Sequence, residues 1–128
     1  MMALRLDRLW PRSALAPQNA AMIFIVVKFT AKPEARDTFL EQVRPFTEAT
    51  RGEEGVLWFD WSVSVDDPSQ FVLVEAFRDA DDGAAHVASE HFRAGTATLS
   101  TLVAKTPDII NVEVPGTSWS KMGEVTVE

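Results

Sequence analysis

The sequence holds no cysteine and no tyrosine and only two histidines, so a general base working near neutral pH is most simply His86 or His91. Imidazole is the side chain whose unperturbed proton exchange falls in that range. Five residues apart, the two would stand about 140° apart on one continuous helix. They converge only if the chain breaks between them, and Ser89, a favoured helix N-cap type, stands in the gap. His86, on a short helix facing a sheet, is the better candidate for a base that takes the proton of a phenolic or enolic hydroxyl. His91, in the first turn of the next helix, would orient or hydrogen-bond the substrate. The plainer alternative for each is a helix-end histidine tied to a backbone carbonyl or half exposed. The pair names no metal site, because the third ligand would have to come from an unidentified carboxylate.

Two carboxylates offer themselves as partners. If the hairpin described below turns at Asp66 to Ser69, its residue pairs sum to about 135, which sets Asp60 opposite Glu75 on the face of Trp58 and Phe77. Like charges directly opposed repel. Either one carries a proton, or one pairs with Arg78, Arg93 or Lys28, or a bulge changes the register. The functional reading is a pocket with Trp58 and Phe77 as an aromatic wall and a carboxylate orienting His86. Phe92, beside His91, joins Trp58, Asp60, Glu75 and Phe77 as a residue expected to contact substrate. Trp58 and Trp61 point to opposite faces of a strand, so at most one of them lines such a pocket.

The elements that must position these groups follow from periodicity. Residues 22–30 (MIFIVVKFT) read as a strand covered on both sides. Pro33 and Glu34 open a helix running to about Arg51, with Phe39, Val43 and Phe46 on one face, Pro45 kinking it and Gly52 ending it. Residues 55–65 (GVLWFDWSVSV) and 71–77 (FVLVEAF) form a hairpin across the turn-formers Asp66-Asp67-Pro68-Ser69. Asp79 caps a short helix to about Ala88; Ser89 caps a second, with Phe92, Leu99 and Val103 along one side and Thr106-Pro107 stopping it. Residues 108–114 (DIINVEV) form the fourth strand, closed by Pro115-Gly116.

This βαββαβ order is that of the ferredoxin-like α+β fold, an antiparallel sheet with its helices on one face. Strands one to three nevertheless carry apolar side chains on both faces, and a bare apolar sheet face exceeds what monomers usually expose. Packing against the sheet of a second copy is the economical cover, so a homodimer is expected.

At 128 residues the chain suits one domain that buries roughly 70% of its unfolded surface without disulfides. Twelve Lys and Arg against 19 Asp and Glu leave a net charge of -7, which disfavours nucleic acid and anionic membrane as partners. The longest apolar run, residues 20–27 (AAMIFIVV), is far short of the about 18 residues that span a bilayer. A soluble, cytoplasmic protein is expected. Residues 1–21 read as a loosely ordered N-terminal extension, an arginine-rich transit address being the lesser reading. The domain proper is residues 22–116, and residues 117–128 form a tail able to add an edge strand to a neighbour.

Three stretches carry a family resemblance: residues 54–60 (EGVLWFD), Val74-Glu75-Ala76-Phe77, and above all residues 85–92 (AHVASEHF). The sequence resembles the antibiotic biosynthesis monooxygenase domain family, quinol monooxygenase-like members included, over about residues 22–115. The resemblance implies a dimeric α+β barrel, and the proline within the first helix also occurs in relatives. It further implies a cofactor-independent monooxygenase that oxidises a hydroquinone, phenol or polyketide-like aromatic with dioxygen. A small aromatic substrate and dioxygen are then the partners. Neither cofactor nor metal is expected, and no Gly-rich dinucleotide loop occurs. The heme-degrading branch fits poorly, with Thr96 near where its axial histidine belongs and Lys28 or Phe29 where it has asparagine. No tyrosine is present for the hydrogen-bond role it has in some tailoring relatives. The alternatives are an isomerase or lyase of a small oxidised metabolite using the same histidine, or a non-enzymatic binding protein of dimeric-barrel form.

Overall fold

The first strand, apolar on both faces, lies inside the sheet, where both its edges are paired. In the computed structural model, which describes residues 21–128, this is β1, Ala21–Thr30. It pairs antiparallel with β3 (Gln70–Phe77) on one side and β4 (Asp108–Pro115) on the other. β2, Val56–Val63, completes the antiparallel order β2-β3-β1-β4 of the ferredoxin-like α+β fold. The extension read over residues 1–21 lies outside the described residues apart from Ala21, the first residue of β1.

The helices pack on one face. A 3-10 turn at Pro33–Thr38 leads into α1 (Phe39–Gln42) and α2 (Arg44–Arg51). α3 (Ala80–Val87) and α4 (Glu90–Leu102) follow the hairpin. Ile25, Val27 and Phe29 of β1 meet Phe39, Val43, Phe46, Leu99 and Leu102 of the helical layer in one core. Phe39 is completely buried and stacks on Phe71 with ring centroids 4.2 Å apart. Burial of such side chains contributes roughly 1.5–3 kcal/mol each.

Two expectations change. The first helix is not one kinked rod, because it is interrupted at Val43 and Pro45 lies in the first turn of α2, where its missing N–H costs no hydrogen bond. The hairpin register is also one residue off. The turn closes with Gln70 N–H donating to the Asp67 carbonyl, 3.0 Å, and pairing sets Phe59 opposite Glu75 and Asp60 opposite Val74. A further irregularity lies between Val56 and Trp58. An odd step exchanges the faces of a strand. Glu75 therefore points with Phe59 and Phe77 toward the helices, whereas Asp60 and Trp58 lie on the opposite face of the sheet.

That opposite face is only partly covered. Ile110 and Val112 of β4 are 63% and 44% exposed beside Val26 and Phe24 of β1. Residues 117–128 form no strand within the chain; instead Trp119 lies against Trp58, ring centroids 5.0 Å apart.

Candidate functional site

The two histidines converge because the chain breaks between them, as the Ser89 signal implies. Asp79 caps α3, its Oδ1 accepting from the Asp82 N–H at 2.9 Å. Ser89 caps α4 by accepting from the Phe92 N–H at 3.1 Å, while its own hydroxyl donates to the His86 carbonyl at 2.7 Å. One residue thus ends one helix, starts the next and turns the imidazoles toward each other, ring centroids 6.1 Å apart. His86 is 4% exposed, with Phe77 at 4.7 Å and Phe92 at 5.1 Å between ring centroids, and Phe46 and Phe59 beyond.

What joins the histidines is Glu53, a residue that sequence reasoning missed. Its Oε2 lies 2.8 Å from His86 Nδ1 and 2.5 Å from His91 Nε2. A carboxylate only accepts hydrogen bonds, so the two ring nitrogens facing it carry the protons. On a neutral His86 that leaves Nε2 with the free lone pair. Glu53 sits in the connection between α2 and β2, which is fastened to the start of α3. The Arg78 N–H donates to the Gly55 carbonyl at 2.8 Å, and a Cβ on Gly55 would stand 2.1 Å from Asp82 Cγ. The signal in the sequence was the pair of glycines, Gly52 and Gly55, bracketing Glu53-Glu54.

Glu75 approaches from below, its Oε1 4.0 Å from His86 Nε2, too far for a hydrogen bond. That oxygen is buried without a partner. Burial first, and the charge of Glu53 second, push the Glu75 carboxyl from an ordinary 4.5 up to about 7.

Beside His86 a cavity of about 460 Å³ opens between α3 and the strands, lined by Ile23, Ile25, Phe77, Gly83, His86 and Asn111 among others. A largely apolar cavity with a few convergent polar groups is the usual form of a small-molecule site. Of the residues expected at the site, the structure gathers His86, His91, Glu75, Phe77 and Phe92. Trp58 and Asp60 are corrected: they lie across the sheet, where Trp58 lines a separate cavity of about 280 Å³ with Phe24 and Trp119. The opposed Asp60–Glu75 pair does not exist; the carboxylate on His86 is Glu53. Asn111 was not foreseen either, since nothing local marks one polar residue of an edge strand.

Comparison with known proteins agrees with this architecture. A family model described as antibiotic biosynthesis monooxygenase matches residues 22–98. A protein of Bacillus subtilis (strain 168), YcnE, provisionally named a monooxygenase, is 27% identical over 93 residues, covering 73% of this chain and 98% of that protein. A provisionally named antibiotic biosynthesis monooxygenase from Nitrosomonas europaea superposes with a TM-score of 0.66 at 29% identity, over 70% of this chain and 95% of that one. A conserved protein from Methanosarcina mazei Go1 superposes with a TM-score of 0.68 at 25% identity, over 72% and 91% respectively.

Proposed function

Because the chain belongs to the antibiotic biosynthesis monooxygenase family, we propose that it is a cofactor-independent monooxygenase acting on a hydroxylated aromatic, with His86 as the base. The observation that carries this reading is the setting of His86. It is buried, held through Nδ1 by Glu53 at 2.8 Å, and forms part of the wall of an apolar cavity of about 460 Å³. A phenol or hydroquinone bound there would give its hydroxyl proton to Nε2. The electron-rich anion then reduces dioxygen, one oxygen atom entering the ring and the other leaving as water. A phenol plus dioxygen balances to a quinone plus water, so the substrate supplies all four electrons and no external reductant is needed. The protein contributes deprotonation, orientation and a water-poor cavity.

Glu53 is the positioning group, since it holds the tautomer that leaves Nε2 free. His91 shares Glu53 and so orients it from the other side, and Phe77 and Phe92 supply apolar wall. The half-covered sheet face supports a homodimer, with Ile110 and Val112 buried against a second copy. The lack of cysteine and the acidic balance fit a cytoplasmic protein.

The test is dioxygen consumption by chelator-treated, flavin-free protein against a panel of hydroquinones and phenols, with His86→Ala alongside to subtract autoxidation. Uptake that vanishes in His86→Ala is expected. Absence of uptake across the panel, or uptake unchanged in the variant, would overturn the oxygenase reading.

A further inference from the structure

We infer that Glu53, His86 and His91 form a binding site for a divalent first-row metal cation, of which zinc fits the donor set best. Two imidazole nitrogens and one carboxylate oxygen are the protein ligands of a common class of zinc centre. Their ligating atoms lie within 4.8 Å of one another. Zinc binds such donors tetrahedrally at about 2.0–2.2 Å, which sets them roughly 3.4 Å apart around the ion. Glu53 Oε2 is already 2.8 Å from His86 Nδ1 and 2.5 Å from His91 Nε2, and the two nitrogens, within 4.8 Å of each other, need approach by no more than about 1.4 Å in total to close on a cation.

The three donors come from three separate pieces of chain, the α2–β2 connection, α3 and the first turn of α4. The Gly55–Arg78 hydrogen bond and the Ser89 cap hold those pieces together without any ion. Such a set is preorganised rather than gathered by the metal.

Charge argues the same way. Glu53 and Glu75 bring two carboxylates into one buried cluster, their side chains 17% and 8% exposed. Among the described residues no Lys or Arg lies within 4.0 Å of either. Arg78 is spent on Asp82, Arg93 on Glu90 and Arg51 on Asp60 and the Phe59 carbonyl. A cation there would offset the charge of Glu53, which is otherwise met only by the two imidazole N–H groups. Three protein donors leave at least one coordination position for water or a ligand.

Occupancy would also regulate the proposed reaction, a consequence that rests on the oxygenase reading although the binding itself does not. With Nδ1 on the cation, the neutral imidazole carries its proton on Nε2 and has no lone pair with which to take one from a substrate.

The experiment uses the full chain, stripped with chelator, with Zn²⁺ titrated by calorimetry and Co²⁺ by its visible absorption. One equivalent per chain is expected, with the intense absorption of low-coordinate cobalt. Glu53→Gln and His91→Ala should each weaken binding at least tenfold, and circular dichroism checks their fold. Should Glu53→Gln unfold, His91→Ala decides, since that side chain is 28% exposed and replacing it disturbs little packing. No stoichiometric binding by the wild-type chain, or equal affinity in the folded variants, overturns the inference. Stoichiometric binding without oxygen uptake in either state would leave the metal site standing and refute the oxygenase reading. His86-dependent uptake without binding would do the reverse.

Discussion

Two glycines in the helical layer should respond in opposite directions to the same substitution. Gly83 in α3 and Gly95 in α4 are both inside helices, where replacing glycine by alanine contributes about 1 kcal/mol through backbone entropy. What differs is the space around the new methyl group. At Gly83 its nearest neighbour outside the helix is Ile23 Cγ1 at 3.7 Å, an ordinary van der Waals contact at the cavity wall. At Gly95 it would stand 2.5 Å from Cγ and Cδ1 of Phe46, which is 7% exposed and packs on Phe59, Phe92 and His86. That ring must retreat by about 1 Å into an occupied core, and overpacking of this kind costs roughly 1–3 kcal/mol. Gly83→Ala should therefore be stabilising by about 1 kcal/mol. Gly95→Ala should be destabilising by up to about 2 kcal/mol after the helix gain is subtracted. For a domain of this size that is a rise of about 4 °C in Tm against a fall of up to about 8 °C. Urea unfolding and calorimetric melts measure both, and the His86 ring resonances should shift in Gly95→Ala as Phe46 moves. Shifts of the same sign in the two variants would refute the packing argument. The Gly83 methyl also narrows the proposed substrate cavity, so Gly83→Ala should raise KM for any substrate while it raises Tm.

Removing the Ser89 hydroxyl in Ser89→Ala deletes the α4 cap and the bond to the His86 carbonyl; a loss of about 1–2 kcal/mol in urea unfolding is expected. In chelator-treated protein, Glu75 binds its proton more tightly folded than unfolded, so its ionisation erodes stability as pH rises from 4.5 through about 7. Glu75→Gln escapes that loss, and its stability relative to wild type should improve by up to about 3 kcal/mol between pH 4.5 and pH 8; a difference independent of pH would refute this. Ile110→Asp puts a charge on the half-covered sheet face and should raise the dimer dissociation constant more than tenfold in sedimentation, whereas a wild-type monomer at all concentrations would remove the dimer.

The fold was legible because its signals are local. The continuous apolar runs of β1 and β3, the caps Asp79 and Ser89 and the apolar face of Phe39, Val43 and Phe46 each report on a few neighbouring residues. Their order along the chain then admits few topologies. Even the break between the histidines was readable from a single serine, because capping is decided within one turn of helix.

Side-chain partnerships were less legible. Asp60 and Glu75 were expected to oppose each other, and a hairpin closing at Asp67–Gln70 instead put them on opposite faces. Strand alternation alone determines that neighbouring residues face apart; which of the two faces the helices depends on the parity of the turn. Glu53 was hidden for a different reason. It lies 33 residues from His86 and 38 from His91, and only the docking of α3 and α4 against the α2–β2 connection brings the three together. By itself the sequence determined the elements, their order, the caps and the two imidazoles available for chemistry, all consequences of short-range sterics and hydrogen bonding. The tertiary structure alone decided which carboxylate meets them and which face holds the cavity, because both depend on how distant segments dock.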